Sequence, residues 1–160
     1  MSAVETKRPP EYLREARSRA GYANRVAASM AVPFSPETIG RHERGDVQIT
    51  PEDAVLYSER YGSQAILVQY CADCPVGRIT GKKATERPLP FATLRVRRML
   101  KEAIAWADTL EEIAFDGVID DTEREDFTKA LAFLRELENT ISDMLLIGSK
   151  EEAAPAPGKG

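Results

Sequence analysis

Three groups of side chains in this sequence have the types and spacing that chemistry uses. Cys71 and Cys74 form a Cys-x-x-Cys pair, which suits a buried structural pair, a redox couple or half of a zinc site. Zinc takes about four ligands, and the chain has no second cysteine pair and one histidine, His42. A metal would need Cys71 and Cys74 from two copies of the chain, so no site is expected within one copy. Glu112 to Glu123 has Gly117 at a loop-like position and acids around it, but Ala114 leaves too few oxygens for calcium. Gly117 and a cap at Asp120 explain that turn without an ion. Arg95, Arg97, Arg98 and Lys101 crowd together, either for phosphate or as a solvated face balancing nearby acid. No nucleophile–base set and no phosphate-binding glycine loop is recognisable. The chain is therefore not expected to be an enzyme, and no cofactor or small-molecule ligand is expected.

The elements around these groups read as helices. Pro9 or Pro10 opens a helix to Ala20, with Tyr12, Leu13, Ala16 and Ala20 inward and Arg14, Glu15, Arg17 and Arg19 toward solvent. Gly21 ends it. Asn24 caps a short helix from Arg25 to Ala31, and Pro33 breaks it. Ser35-Pro36 then starts a helix ending at Gly45, and Thr50-Pro51 starts another ending at Gly62. Ala54, Leu56 (or Val55), Tyr57 and Tyr61 form the buried side of the latter. A fifth helix covers about Gln64 to Cys71. Residues 75–90 hold two Gly and three Pro without apolar period, and read as a linker or an extended arm. Two long helices follow. One, about Pro90 to Ala114, carries Val96, Leu100, Ala103, Ala107, Leu110 and Ala114 at spacings of four and three. The other, about Asp121 to Ile147, carries Phe127, Leu131, Leu134, Leu137, Ile141 and Leu145. Residues 120–123, Asp-Asp-Thr-Glu, resemble a capping box at its start.

Bulk composition agrees. The 160 residues are 42% hydrophobic and 30% charged, with 7% aromatic, a balance that favours helix over sheet. The longest apolar run near the C-terminus, Met144 to Ile147, is far too short to span a bilayer. With two cysteines and no leader or span, the chain is expected to be cytoplasmic and away from membranes. The net charge of −4 is unevenly distributed. Residues 1–45 hold eight Lys/Arg against five Asp/Glu, whereas residues 84–160 hold ten against sixteen. An acidic total leaves room for a local basic face.

The run Leu13-Arg14-Glu15-Ala16-Arg17, then Ala20-Gly21-Tyr22, then Ser35-Pro36-Glu37-Thr38-Ile39-Gly40-Arg41-His42-Glu43-Arg44-Gly45 resembles the Cro/cI-type helix-turn-helix family. These are the lambda-repressor-like, xenobiotic-response-element regulators of bacteria and phages. The likeness covers about residues 10–72. Ser29 stands where the family usually has Ala, Pro33 where the turn usually has Gly, and His42 where Ile, Tyr or Trp is usual. A proline cannot take positive φ, so the turn has to be built differently.

The resemblance implies that the third helix enters the major groove of double-stranded DNA, with Pro36, Glu37, Gly40 and Arg41 exposed toward base edges. Arg25, Ser35 and Arg44 are then the phosphate candidates. Glu37 equally suits a helix N-terminus on its own account. His42 is expected to pack, and Glu43 to pair near the first helix. The expected architecture is all-α. A five-helix lambda-repressor-like DNA-binding domain (9–74) is followed by a linker (75–90) and a long C-terminal αα-hairpin (91–148), with a disordered tail (149–160). Self-association of the hairpin as a homodimer is expected. The implied role is a sequence-specific transcriptional regulator, more a repressor than an activator. The alternative is a protein-interaction adaptor that keeps the fold and reads DNA weakly or not at all.

Overall fold

The computed structural model describes residues 10–152. Among them the secondary structure is all-helical, without a strand: α1 (Glu11–Arg19), α2 (Arg25–Ser29), α3 (Pro36–Arg44), α4 (Pro51–Tyr61), α5 (Ala65–Asp73), α6 (Pro75–Thr80), α7 (Leu89–Ala114) and α8 (Arg124–Glu152). No helix among the described residues is long and apolar enough to cross a membrane. Residues 1–9 lie outside the described residues. Residues 149–152, expected to belong to the tail, continue α8; the rest of that expectation, 153–160, lies outside the described residues.

Two compact units result. Of the described residues, one unit holds 10–70 together with 148–152, and the other holds Cys71–Ile147. In the first, Leu13, Ala28, Val32, Ile39, Ile49, Ala54, Tyr57 and Ile66 form one buried core drawn from α1 to α5, with Phe34 and Tyr22 at its margin. Leu56 is half-buried, while Val55 is exposed. Lys150 of α8 reaches Glu15 of α1 at 3.5 Å.

Helix boundaries follow from local chemistry. The Ser35 hydroxyl accepts the Thr38 N–H at 3.1 Å. Thr50 and Asp53 form a reciprocal capping box, with the Asp53 N–H on the Thr50 hydroxyl and the Thr50 N–H on the Asp53 carboxylate. Gly45 and Gly62 end their helices with φ of +73° and +61°, a conformation that β-carbon sterics deny to most other residues. Residues 75–90 are not a featureless linker. Cys74 caps α6 through its sulfur, which accepts the Gly77 N–H at 3.2 Å, Pro75 takes the first position and Gly81 ends the helix at φ +75°.

In the second unit, Lys82 to Pro88 run extended and are held to α8. The Lys83 N–H donates to Asn139 Oδ1 and the Thr85 N–H to Asp143 Oδ1, both at 2.8 Å. Asp143 is buried and also accepts from Arg87 Nε at 2.9 Å and Arg95 Nη1 at 2.8 Å. Arg95 pairs with Glu136 as well. Trp106 stacks on Phe133 with centroids 5.9 Å apart. These pairings, early α7 with late α8 and late with early, make the two helices antiparallel. Asp120 caps α8 as expected, accepting from the Thr122 and Glu123 N–H groups while Glu123 accepts the Asp120 N–H.

The inward line of α7 differs from the expected one. Val96, Ala103 and Leu110 are partly buried, but the positions between them are Met99, Trp106 and Ile113, with Ala92 one step earlier. Leu100, Ala107 and Ala114 are exposed. On α8, Phe127, Ala130, Phe133, Leu137, Thr140 and Met144 turn inward, while Leu131, Leu134 and Ile141 are exposed. Each expected stripe mixed the inward line with its neighbour one residue on.

Candidate nucleic-acid interface

The first unit fixes α3 with a buried charge network. Glu43, on the inner side of α3, accepts from Arg17 Nε of α1 at 2.6 Å and from Arg25 Nε of α2 at 2.8 Å. The side chains of Arg17 and Glu43 are 8% and 3% exposed. Arg17 Nη1 also donates to the Tyr22 carbonyl at 2.8 Å. Arg17, expected toward solvent, is therefore buried, because a carboxylate 26 residues away needs its charge in a place water does not reach. The expected pairing of Glu43 with the first helix is present.

His42 lies on the same inner side. It is buried, its Nδ1 shares a 2.9 Å hydrogen bond with the Tyr57 hydroxyl, and Phe34 meets its ring edge-on with centroids 5.2 Å apart. Burial lowers its pKa below 6.5, so the neutral ring is favoured. Burial also drives the Tyr57 hydroxyl far above the usual phenol range and lifts Tyr61 to about 12, where the nearby Glu43 adds to the shift. No described residue hydrogen-bonds the buried Tyr61 hydroxyl.

With Ile39, His42 and Glu43 turned in, the outward line of α3 is left to Glu37, Arg41 and Arg44, all exposed. Glu37 and Arg41 are one turn apart and so share a face. Ser35 is exposed, with its hydroxyl committed to Thr38. Pro36 is half-buried at the first helical position. Gly40 departs from the expected exposure: it is buried. A β-carbon there would sit 3.0 Å from Arg44 Nη1 and 3.1 Å from Arg25 Nη1, so two guanidinium groups roof this glycine.

The phosphate candidates are only partly free. Arg25 is tied to Glu43, and Arg44 Nε holds Asp46 Oδ2 at 2.8 Å. Both side chains remain partly accessible, 39% and 52%. Asn24 caps α2 by accepting the Ala27 N–H at 2.8 Å. The turn from α2 to α3 runs through Pro33 without any positive-φ residue.

The remaining chemical candidates do not assemble a site. Cys71 and Cys74 are free thiols, and Cys74 serves as a helix cap. No group of three metal-ligating side chains occurs among the described residues. Of the basic cluster on α7, Arg95 is drawn into the ion pairs with α8 and Arg98 lies 3.7 Å from Glu102. No family model, curated protein or solved structure matches the chain.

Proposed function

We propose that residues 10–73 are a lambda-repressor-like helix-turn-helix domain that reads double-stranded DNA through α3. The chain would act as a sequence-specific transcriptional regulator of bacterial or phage type in the cytoplasm, more as a repressor than an activator. One observation carries this reading. Glu43 ties α1, α2 and α3 together from inside, so that α3 offers a rigid outer line with Glu37 and Arg41 exposed one turn apart. Arg41 suits bidentate donation to a guanine edge, and Glu37 suits acceptance from a cytosine amino group. Arg25 and Arg44 flank that line toward phosphate, and the Ser35-capped N-terminus adds its positive dipole end. One such helix covers few base pairs. A homodimer built through α7 and α8, presenting two half-sites roughly 34 Å apart, supplies the remaining specificity. This role requires no cofactor, small molecule or catalytic group.

The ion pairs of Arg25 and Arg44 favour the second reading, an adaptor that keeps the fold but has little free positive charge for phosphate. Selection of duplexes from a random pool, at low and moderate salt, separates the two. The regulator enriches a defined, two-fold symmetric sequence. Arg41→Ala then relaxes preference at one base pair per half-site by about 1–3 kcal/mol, while Arg44→Ala weakens all duplexes evenly. Failure to enrich any sequence above nonspecific binding overturns the regulator in favour of the adaptor.

A further inference from the structure

The antiparallel pair α7–α8 has two unlike sides. One is polar: Arg95, Glu136 and Asp143 meet there. The other is reached by stepping one residue on from each inward line, about 100° round the helix. In an antiparallel pair that step turns both helices to the same side. It presents Leu100, Ile104 and Ala107 of α7 beside Leu131, Leu134 and Ile141 of α8. Leu100 is 54%, Ile104 68%, Leu131 40%, Leu134 42% and Ile141 45% exposed. Together they leave on the order of 450 Å² of apolar side chain in water, which is patch-sized for an interaction surface.

Charge along α7 is sharply divided. From Leu89 to Lys101 there are four cations and no acid; from Glu102 to Asp116 there are five acids and no cation. Arg97, Lys101, Asp108 and Glu111 border the apolar side and have no ion pair among the described residues. Their spacing is symmetric about Ile104: Arg97 and Glu111 lie seven residues to either side, and Lys101 and Asp108 three and four.

We propose that this side is the dimer interface, and that a second copy docks on it head to tail. Each α7 crosses its counterpart antiparallel near Ile104, so that Arg97 and Lys101 meet the second copy's Glu111 and Asp108. α8 packs on α8 in the same sense, closing a four-helix bundle. The opposite, head-to-head arrangement would set cations on cations. Two copies bury roughly 900 Å² of apolar side chain, and with the flanking charged stems reach the ~1,200–2,000 Å² of a stable interface. The inference rests on the homodimer of the functional reading and supplies its surface and orientation.

Sedimentation velocity of the full chain tests it. The wild type sediments as a dimer at micromolar concentration. Ile104→Glu, at an exposed site that leaves helicity and Trp106 emission unchanged, raises the dissociation constant at least 100-fold. Arg97→Glu with Lys101→Glu yields a monomer, as does Asp108→Lys with Glu111→Lys, and an equimolar mixture of the two variants regains the dimer mass. A wild-type monomer overturns both the interface and the homodimer. A dimer indifferent to Ile104→Glu overturns this interface and leaves the homodimer to another surface. A mixture of charge variants that stays monomeric overturns the head-to-tail orientation. DNA selection is read independently of all three, so a failed interface and a failed DNA reader remain distinct results.

Discussion

Glu43→Ala removes the carboxylate that the Arg17 and Arg25 guanidinium groups share, and its effect follows from burial. Arg17 is left charged in a place water does not reach, with the Tyr22 carbonyl as its remaining hydrogen-bond partner. Breaking a buried pair from one side destabilises by roughly 3–5 kcal/mol. The Tyr22 bond already compensates part of the Arg17 charge, which brings the expectation to the lower end, about 3 kcal/mol. A unit of this size is stable by only about 4–10 kcal/mol, so its melting temperature should fall by about 12–24 °C. The chain provides its own reporters. All five tyrosines lie in the first unit, and the single tryptophan, Trp106, lies in the other. Urea unfolding followed by tyrosine near-ultraviolet dichroism should show the loss, while the transition seen by Trp106 emission keeps its midpoint. Arg17→Ala should match it. Arg25→Ala, at the half-exposed end of the network, should lose about 1 kcal/mol or less. A loss under about 1 kcal/mol for Glu43→Ala would show that the pair behaves as a surface ion pair, and the account of how α3 is held would fail.

Two further outcomes are expected. Because burial lowers the His42 pKa below 6.5, the unfolded chain takes up the proton first as pH falls. The His42 contribution is therefore present above about pH 6.5 and lost as pH falls through that value toward the lower native pKa, where it levels off. The urea midpoint of the tyrosine transition should fall between about pH 7.5 and pH 5, and His42→Asn should flatten that part of the profile. Asp143→Ala leaves Arg95 to Glu136, takes the carboxylate from Arg87 and frees the Thr85 N–H. It should destabilise the second unit by about 1–3 kcal/mol in the Trp106 transition and speed amide exchange at Thr85, and unchanged exchange there would contradict the clamp.

What was legible in the sequence was chiefly local. Ser35-Pro36 to Gly45 and Thr50-Pro51 to Gly62 declare their helices because cap, first-turn proline and left-handed glycine act within a few residues. Cys74-Pro75 to Gly81 follows the same rule with sulfur in place of a hydroxyl, and that substitution hid α6. Glycine and proline count points to a linker or an extended arm there, and only Lys82 to Pro88 run extended. The α7 stripe slipped by one residue because two adjacent lines are both apolar. Periodicity finds the pitch but not which of two lines is inside, although the bulk of Met99 and Trp106 favoured theirs. Arg17 and Arg25 were beyond reach for another reason: their partner lies 26 and 18 residues away. Only the packing of three helices decides that these arginines hold a carboxylate.

Gly40 has a practical consequence for anyone recoding α3. Positions 37 and 41 stand clear of the core and accept new side chains without a steric clash, Glu37 giving up only its favourable place at the helix N-terminus. Position 40 does not, because any β-carbon presses on the Arg25 and Arg44 guanidinium groups at 3.0–3.2 Å. Arg25 is also bonded to Glu43, so its guanidinium has to shift while keeping that bond. A library varied at 37 and 41 changes side chains on the outer line alone, whereas one varied at 40 also displaces two cations beside that line.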